Sequence, residues 1–190
     1  PVVVKIQHPD LDYKMKQFFI FVTCWNKFFS LLCLDKYHIP ISAKEMEGHL
    51  LSQLDYKQEA KNMETARKNF ANNPHIIIPE VFYSSTSVLI TREETGIHYK
   101  DFKKKNPDKY KELSFVDTII KLSIMQMALI DDMTHADLHD GNWSMRMPDS
   151  DTEKLPNYCK GFPQVVVYDW GLVTKTGDKQ MNRDFFYQLR

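Results

Sequence analysis

A polar segment, HADLHDGN at residues 135–142, directly follows a long apolar run, and no other feature restricts the fold of this chain as much. The apolar run, FVDTIIKLSIMQMALIDDM, predicts a helix over residues 115–133 that Ser114 caps and that is buried on nearly all sides. The polar segment must then leave the core as a loop. In that loop Asp137 and Asn142 can approach one ligand from different backbone directions.

The spacing of Asp137 and Asn142 is that of the kinase catalytic loop, H-R-D-x-x-x-x-N. In this interpretation Asp137 orients the attacking hydroxyl, Asn142 offers its amide oxygen to magnesium, and His135 braces the loop. The segment also has metal-site spacing, in which His135, Asp137 and His139 would hold zinc or iron. A polar loop without a chemical role is the third possibility, and the loop alone leaves all three open.

A second acid follows a second apolar run, in QVVVYDWG at residues 164–171. The three valines predict a strand that stops at Asp169, after which Gly171 lets the chain turn sharply. Compared with the D-F-G segment of kinases, Asp169 would chelate a magnesium ion, and Trp170 replaces the usual phenylalanine. Asp169 and Asn142 are therefore the two expected metal ligands.

Near its start the chain carries VVVK, residues 2–5, within a predicted strand. This run resembles V-A-I-K, the strand whose lysine binds nucleotide phosphates. Residues 43–71 predict one long helix, on which Glu59 would hold Lys5 extended. A free lysine side chain has about 2 kcal/mol of rotamer entropy to lose, so such a carboxylate has a physical purpose.

The long helix has a predicted start and a predicted polar face. Ser42 would cap it, with Glu45 completing a capping box, and the residues sharing one face are Asp55, Glu59 and Asn62. After it, HIIIPEVF and SVLIT predict two strands with a turn at SSTS, followed by the connector REETG. In KDFKKKNPDKYKE the acids interleave with the lysines, which predicts a solvated surface.

Composition excludes some classes of protein. Lys+Arg and Asp+Glu number 25 each, so the net charge is +0 and no basic surplus exists for nucleic-acid binding. A hydrophobic content of 43% is typical of a globular chain. The odd set of cysteines, Cys24, Cys33 and Cys159, lacks a CxxC pair and predicts reduced thiols rather than disulfides or a zinc site.

Residues 10–34 predict a helix whose segment FFIFVTCWNKFFSLLCL is strongly apolar. Asn26 and Lys27 interrupt it, and it is slightly short for a membrane span of about 20 residues. An amphipathic helix packed on protein is the favoured interpretation, and contact with a membrane surface is the alternative.

Taken in order, these motifs resemble the UbiB family of atypical, protein-kinase-like proteins linked to ubiquinone biosynthesis. LDYKQEAKN at residues 54–62 is similar to the family's E-x-D-x-x-x-E-A-x-N helix pattern, and HADLHDGN is similar to H-x-D-x-H-P-G-N. Gln53 stands in place of the first glutamate and Asp140 in place of the proline, which predict a weaker acidic contact and a less rigid loop. Aminoglycoside and choline phosphotransferases share the loop but lack the helix pattern, so they rank second.

The resemblance implies an α+β, bilobal protein-kinase-like fold, cut at both ends. Residues 1–95 would form the β-rich N-terminal lobe with an inserted helix and the acid-bearing helix, and residues 96–190 part of the helical C-terminal lobe. It also implies ATP and Mg²⁺ as cofactors. Lys5, Glu59 and Asp137 are then the expected catalytic residues. The expected cofactor-binding residues are Lys5, Asn142 and Asp169, of which the last two hold the metal.

For function, the resemblance implies an ATP- and magnesium-dependent atypical kinase or ATPase acting in isoprenoid-quinone or lipid metabolism. The alternative is a catalytically weak pseudokinase that serves as a nucleotide-binding or scaffold subunit. Lipid, quinone-pathway proteins and a membrane surface are the implied partners, and nucleic acid is not among them. The implied location is a mitochondrial, plastid or bacterial membrane.

Overall fold

The computed structural model describes residues 1–32, 54–148 and 161–175. Within these ranges the chain forms a mixed α+β fold with four α-helices and three small sheets. The described part of the chain thus has the predicted α+β class.

The first sheet contains β1 (Val2–Ile6), β3 (Val81–Ser84) and β4 (Val88–Arg92), antiparallel and in the order β1-β4-β3. The strand predicted over PVVVKIQ and the strand over SVLIT are confirmed, and a turn at residues 85–87 joins β3 to β4. Lys5 is paired with Leu89, a core residue of β4. Because directly paired residues project from the same face of a sheet, Lys5 lies on the face that covers the core.

The second sheet contains β2 (Ile76–Ile77), β6 (Trp143–Arg146) and β7 (Gln164–Val167) in the order β2-β7-β6. Strands β6 and β7 are antiparallel, and β2 joins β7 in parallel. The prediction of one strand over HIIIPEVF is wrong, because the run is divided before β3 and its halves belong to different sheets. Pro79, which has no N–H to donate, lies at the division.

The third sheet is small and pairs β5 (Thr134–His135) with β8 (Val173–Thr174). It brings the start of the HADLHDGN loop next to the chain that follows Asp169. The two polar loops of the sequence therefore emerge from neighbouring strands, as the motif interpretation requires.

Helix α1 (Leu11–Leu31) confirms the helix predicted over residues 10–34. Of its side chains only Phe19 and Val22 are buried, whereas Phe18, Phe21 and Phe28 are about half exposed. Packing on protein therefore covers a narrow stripe of α1 rather than its whole apolar face.

Helix α2 (Tyr56–Asn69) is shorter than the helix predicted over residues 43–71. Asp55 has an extended backbone (φ −92°, ψ 100°), and its side chain accepts a 2.9 Å hydrogen bond from the Lys57 amide, so it caps the helix. The prediction that Asp55 shares a helical face with Glu59 is corrected accordingly. Ser42, Glu45 and Gln53 lie outside the described residues.

Two helices follow the connector of residues 93–98, namely α3 (Tyr99–Lys105) and α4 (Tyr110–Gln126). Helix α3 forms in the lysine-rich stretch and buries Phe102. Helix α4 begins after Lys109, so Ser114 lies inside it and does not cap it. A π-helical turn, Met127–Asp131, continues α4 towards the polar loop.

The prediction that α4 is buried on nearly all sides is wrong. Leu113, Val116 and Ser123 are buried, but other apolar side chains are exposed, including Leu122 and Met125. With the π-helical turn, Tyr110–Asp131 has the length, and in an 18-residue window the mean hydropathy of 1.6, that would allow it to cross a membrane. The core helix of a soluble protein can have the same length and composition.

One core connects the first two sheets. Helix α2 contributes Ala60, Met63 and Ala66, and the same core contains Leu89 from the first sheet and Val165 from the second. Trp170, which is fully buried, joins the same core. The division into lobes at residues 95 and 96 stays a prediction.

Candidate functional site

Lys5, Glu59 and Asp169 meet, although they come from β1, α2 and the segment after β7. Lys5 Nζ donates a 2.6 Å hydrogen bond to Glu59 Oε1 and lies 3.5 Å from Asp169 Oδ1. The Glu59 side chain is only 3% exposed, whereas that of Asp169 is 49% exposed. The lysine thus bridges a buried acid and an acid that faces solvent.

The environment shifts the pKa values of this pair. Burial raises the pKa of Glu59, and the like charge of Asp169 adds to the rise, against the lowering effect of Lys5. Burial alone would lower the pKa of Lys5, but its hydrogen bond to Glu59 and the two nearby carboxylates raise it overall. Lys5 is therefore held as a cation beside the more exposed acid.

The backbone turns sharply at Asp169 itself, where φ is 53°. Gly171 lies in the turn after Asp169, as predicted, but the left-handed φ belongs to Asp169, and Gly161 is the only positive-φ glycine among the described residues. A Cβ at Gly171 would lie 3.4 Å from Asp169 Oδ1, an ordinary van der Waals contact, so neither space nor φ requires glycine there. Aspartate tolerates the left-handed conformation better than most residues, so a carboxylate that can bind a metal ion is compatible with this backbone position.

Helix α2 also holds the backbone of Trp170. Asn62 Nδ2 donates a 2.8 Å hydrogen bond to the Trp170 carbonyl, and a backbone hydrogen bond from Trp170 favours the charged form of Glu59. The Trp170 ring packs edge-on against His135, with centroids 4.9 Å apart. Two residues of the helix motif thus fix the residue that follows Asp169.

In the polar loop, Asn142 and Asp137 are in direct contact. Asn142 Nδ2 donates to the Asp137 carbonyl at 2.8 Å and approaches Asp137 Oδ2 at 3.4 Å. The amide nitrogen is thereby committed to Asp137, which leaves the amide oxygen for a cation. His135 is buried and hydrogen-bonds the Tyr168 carbonyl at 3.2 Å, so it braces the loop as predicted.

The donor set suits magnesium better than zinc. Within residues 1–32, 54–148 and 161–175, no three His, Cys, Asp or Glu side chains converge on a point where they could hold a metal. The interpretation of His135, Asp137 and His139 as a zinc or iron site is therefore not supported. Magnesium is bound through one or two carboxylates plus substrate phosphates, and Asp169 with the Asn142 amide oxygen fits that pattern.

Asp140 stands where the resemblance predicted a proline, and a less rigid loop was expected. In the structure, Asp140 Oδ2 forms an ion pair with Lys100 Nζ on α3, at a distance of 2.7 Å. Both side chains are exposed, so the pair adds little to stability. It ties the loop to α3, and the less rigid loop stays a prediction.

Three further residues belong to the site although no sequence pattern indicated them, namely Tyr168, Ser144 and Glu94. Tyr168 Oη lies 2.8 Å from Ser144 Oγ and donates to the Glu94 carbonyl at 2.9 Å. A tyrosine at the polar end of an apolar strand was the available signal, but its partner in the connector is 74 positions away.

A strand lysine paired to a helix glutamate, next to two acid-bearing loops, is the arrangement of kinase-like proteins. The family model of the ABC1 atypical kinase-like domain matches residues 1–188. The chain belongs to this family, which includes proteins named UbiB, so the resemblance stated from the sequence is confirmed.

Named relatives agree with this assignment. The chain is similar to a probable serine/threonine-protein kinase, abkC, of Dictyostelium discoideum, with 32% identity over 84% of this chain and 24% of the relative. It is 26% identical to a probable protein kinase UbiB of Cellvibrio japonicus over 74% of this chain and 26% of the relative. A mitochondrial ABC1 family protein of Saccharomyces cerevisiae is 27% identical over 75% of this chain and 22% of the relative. The chain thus spans about a quarter of the length of these relatives.

A solved structure shares the fold. The protein Rv3197 of Mycobacterium tuberculosis, determined in complex with erythromycin, superposes with a TM-score of 0.59 and 20% identity. The match covers 99% of this chain and 46% of the other.

Proposed function

We propose that this protein is an ATP- and magnesium-dependent phosphotransferase or ATPase of the UbiB type. The observation that carries the proposal is the position of Lys5, 2.6 Å from buried Glu59 and 3.5 Å from exposed Asp169. The Lys5 ammonium can bind the negatively charged phosphates of a nucleotide. Glu59 holds it in place, and Asp169 can bind the metal ion that accompanies those phosphates.

Each residue then has one role. Glu59 keeps Lys5 extended, and Lys5 binds the nucleotide phosphates. Asp169 and the Asn142 amide oxygen would hold Mg²⁺, and the ion would supply positive charge to offset that of the phosphates. Asp137, exposed and in contact with Asn142, orients the acceptor hydroxyl or a water molecule. Catalysis is mainly positional and electrostatic.

The experiment is ATP turnover and thermal melting of wild type, Lys5→Met and Asp169→Asn. We expect Mg-ATP at about 100 times its dissociation constant to stabilise wild type by about 2.7 kcal/mol. Turnover should be lost in both variants. Equal turnover in wild type and Asp169→Asn would overturn the proposal. A melting shift without turnover would favour the alternative, a pseudokinase that binds nucleotide as a scaffold.

We further propose that the activity serves isoprenoid-quinone or lipid metabolism at a membrane. The proposal is supported by relatives named UbiB and by relatives named as mitochondrial. The exposed aromatic side chains of α1 suit a lipid surface. We propose a mitochondrial, plastid or bacterial membrane, and the names of the relatives support the first and the last of these. Loss of quinone in cells that lack the protein, restored by wild type and not by Asp169→Asn, is the expected result.

A further inference from the structure

We propose that Tyr168 is a positioning residue for the metal site, because it ties the expected metal ligands to the connector of residues 93–98. The proposal rests on the function proposed above and adds to it a residue that acts through others. Tyr168 itself is half-buried and is not expected to touch the nucleotide or the metal.

The backbone of Tyr168 contacts the polar loop at two points. Its amide donates a 2.8 Å hydrogen bond to the Asn142 carbonyl, and its carbonyl accepts a 3.2 Å hydrogen bond from His135 Nε2. The next residue is Asp169, whose φ of 53° depends on how the chain is held on either side. Tyr168 therefore sits between the two residues expected to bind the metal, and both are positioned through its backbone.

The side chain of Tyr168 reaches the connector. Its hydroxyl donates to the Glu94 carbonyl at 2.9 Å and pairs with Ser144 Oγ of β6 at 2.8 Å. Phenylalanine would preserve the ring and remove only this link.

Other contacts show that the connector is built to lie against the β6–β7 hairpin. Arg146 of β6 pairs with the Glu94 carboxylate at 3.1 Å and donates to Gln164 of β7 at 3.0 Å. A Cβ on Gly96 would lie 2.0 Å from Ser144 Oγ, so only glycine allows this approach. The connector is thus fastened to the hairpin through Glu94 at both its backbone and its side chain.

Through these contacts the Tyr168 hydroxyl affects the distance between Lys5 and the expected metal ligands. The connector continues β4, which is paired with the strand that carries Lys5, and the hairpin carries Asn142 and Asp169 at its ends. Because the connector is fastened to the hairpin, Lys5 is fixed relative to Asn142 and Asp169. Loss of a hydrogen bond made directly to a metal ligand weakens metal binding about 10- to 100-fold, and we expect this link, which is one contact further from the ligands, to lie at the lower end of that range.

The test is Mn²⁺ binding in the presence of saturating ADP, measured by electron paramagnetic resonance, with melting temperature and ATP turnover measured in parallel. Tyr168→Phe should weaken Mn²⁺ binding about 10-fold. Excess Mg²⁺ should restore most of its turnover, and the KM for ATP at saturating Mg²⁺ should stay within about twofold of wild type. The matched control is Tyr83→Phe, in which the hydroxyl of an exposed tyrosine on β3 is removed.

The outcomes separate this inference from the proposed function. If Asp169→Asn binds Mn²⁺ and turns over ATP like wild type, the proposed function fails. If Asp169→Asn loses both while Tyr168→Phe matches Tyr83→Phe, only the role of Tyr168 is overturned. A defect in Tyr168→Phe that excess Mg²⁺ does not restore would also overturn it. Should Tyr168→Phe not fold, Gly96→Ala, which displaces the connector from Ser144, decides by the same Mn²⁺ measurement.

Discussion

Lys5 and Glu59 form a 2.6 Å ion pair across 54 positions of sequence, and the pair is unequally exposed. The Lys5 side chain is 36% exposed, whereas the Glu59 side chain is 3% exposed. A charge buried this deeply is costly unless it is paired, and replacing both partners of such a pair by apolar groups of similar volume is often neutral or stabilising. The pair is therefore better explained by what it does for Lys5 than by its contribution to stability.

Glu59→Gln tests this explanation. Without the carboxylate, Lys5 regains rotamer entropy of about 2 kcal/mol, which corresponds to a loss of about 30-fold in turnover. We expect this loss in steady-state ATP turnover. The urea midpoint at neutral pH should be equal to or above that of wild type, because burial raises the pKa of Glu59, so its charged form costs stability there, and Lys5 keeps Asp169 as a partner. A lower midpoint together with full turnover would show that the pair serves stability instead.

The pH dependence of Glu59 gives a second prediction. Its pKa in the folded protein is raised above the ordinary 4.5, so its favourable contribution to stability is complete below that pH and is lost as pH rises through the raised value. The free energy of unfolding of wild type relative to Glu59→Gln should therefore fall over this window. Wild-type turnover should decline on acidification already above pH 4.5, as Glu59 becomes neutral and releases Lys5. Denaturant titrations and rate profiles across pH measure both, and parallel stability curves for the two proteins would contradict the assignment.

Asp169 can be tested with two substitutions that differ in backbone strain. Asparagine tolerates a φ of 53°, whereas alanine there costs about 1–2 kcal/mol. We expect both variants to lose ATP turnover, with the free energy of unfolding of Asp169→Asn within about 0.5 kcal/mol of wild type. Asp169→Ala should be less stable by the strain. Loss of turnover only in the alanine variant would assign the defect to the backbone and not to the carboxylate.

Short runs rich in β-branched residues could be predicted as strands from the sequence, and element ends could not. Strands β1, β4 and β7 formed where predicted, although β4 alternates in burial, β7 is buried at all four positions and β1 buries none of its side chains. The start of α2 was missed because Asp55 fits a helical face as well as it fits a cap, and only the backbone decides between them. The exposure of α4 was missed because apolar composition does not reveal which faces have neighbours.

In the candidate site, too, some contacts could be predicted from the sequence and others could not. The order of the motifs predicted that Lys5, Glu59 and Asp169 meet, because a resemblance to kinase-like proteins carries three-dimensional information. The links made by Asn62 and Tyr168 were not predicted, since each joins a side chain to a backbone carbonyl, and a carbonyl leaves no signature in the sequence.

Helix α1 yields a prediction for membrane contact. Phe18, Phe21 and Phe28 are exposed, whereas Phe19 is buried and must stay unchanged to preserve the fold. We expect wild type to float with anionic liposomes and the Phe18/Phe21/Phe28→Ser variant to float much less, because burial of a large apolar side chain contributes about 1.5–3 kcal/mol. The control is Phe82→Ser on β3, an equally exposed phenylalanine outside the helix. Equal flotation of the triple variant and wild type would leave α1 with a structural role only.

Asn62 gives the last prediction, because it joins the helix that carries Glu59 to the segment that carries Asp169. Its amide nitrogen donates to the Trp170 carbonyl at 2.8 Å, and its amide oxygen accepts from Gln58 at 2.9 Å. Asn62→Ala removes the first contact, so Asp169 should be less well fixed beside Lys5. A displacement of this kind can cost up to about 100-fold in turnover, against a loss of about 1 kcal/mol in the free energy of unfolding.

Gln58→Ala is the matched control for Asn62. It removes the exposed partner of Asn62 and leaves the bond to Trp170 in place, so turnover should stay close to wild type. Steady-state ATP turnover and urea unfolding of the two variants measure the comparison. If both variants lose turnover equally, the effect comes from the surface of α2, and the bond to Trp170 does not position Asp169.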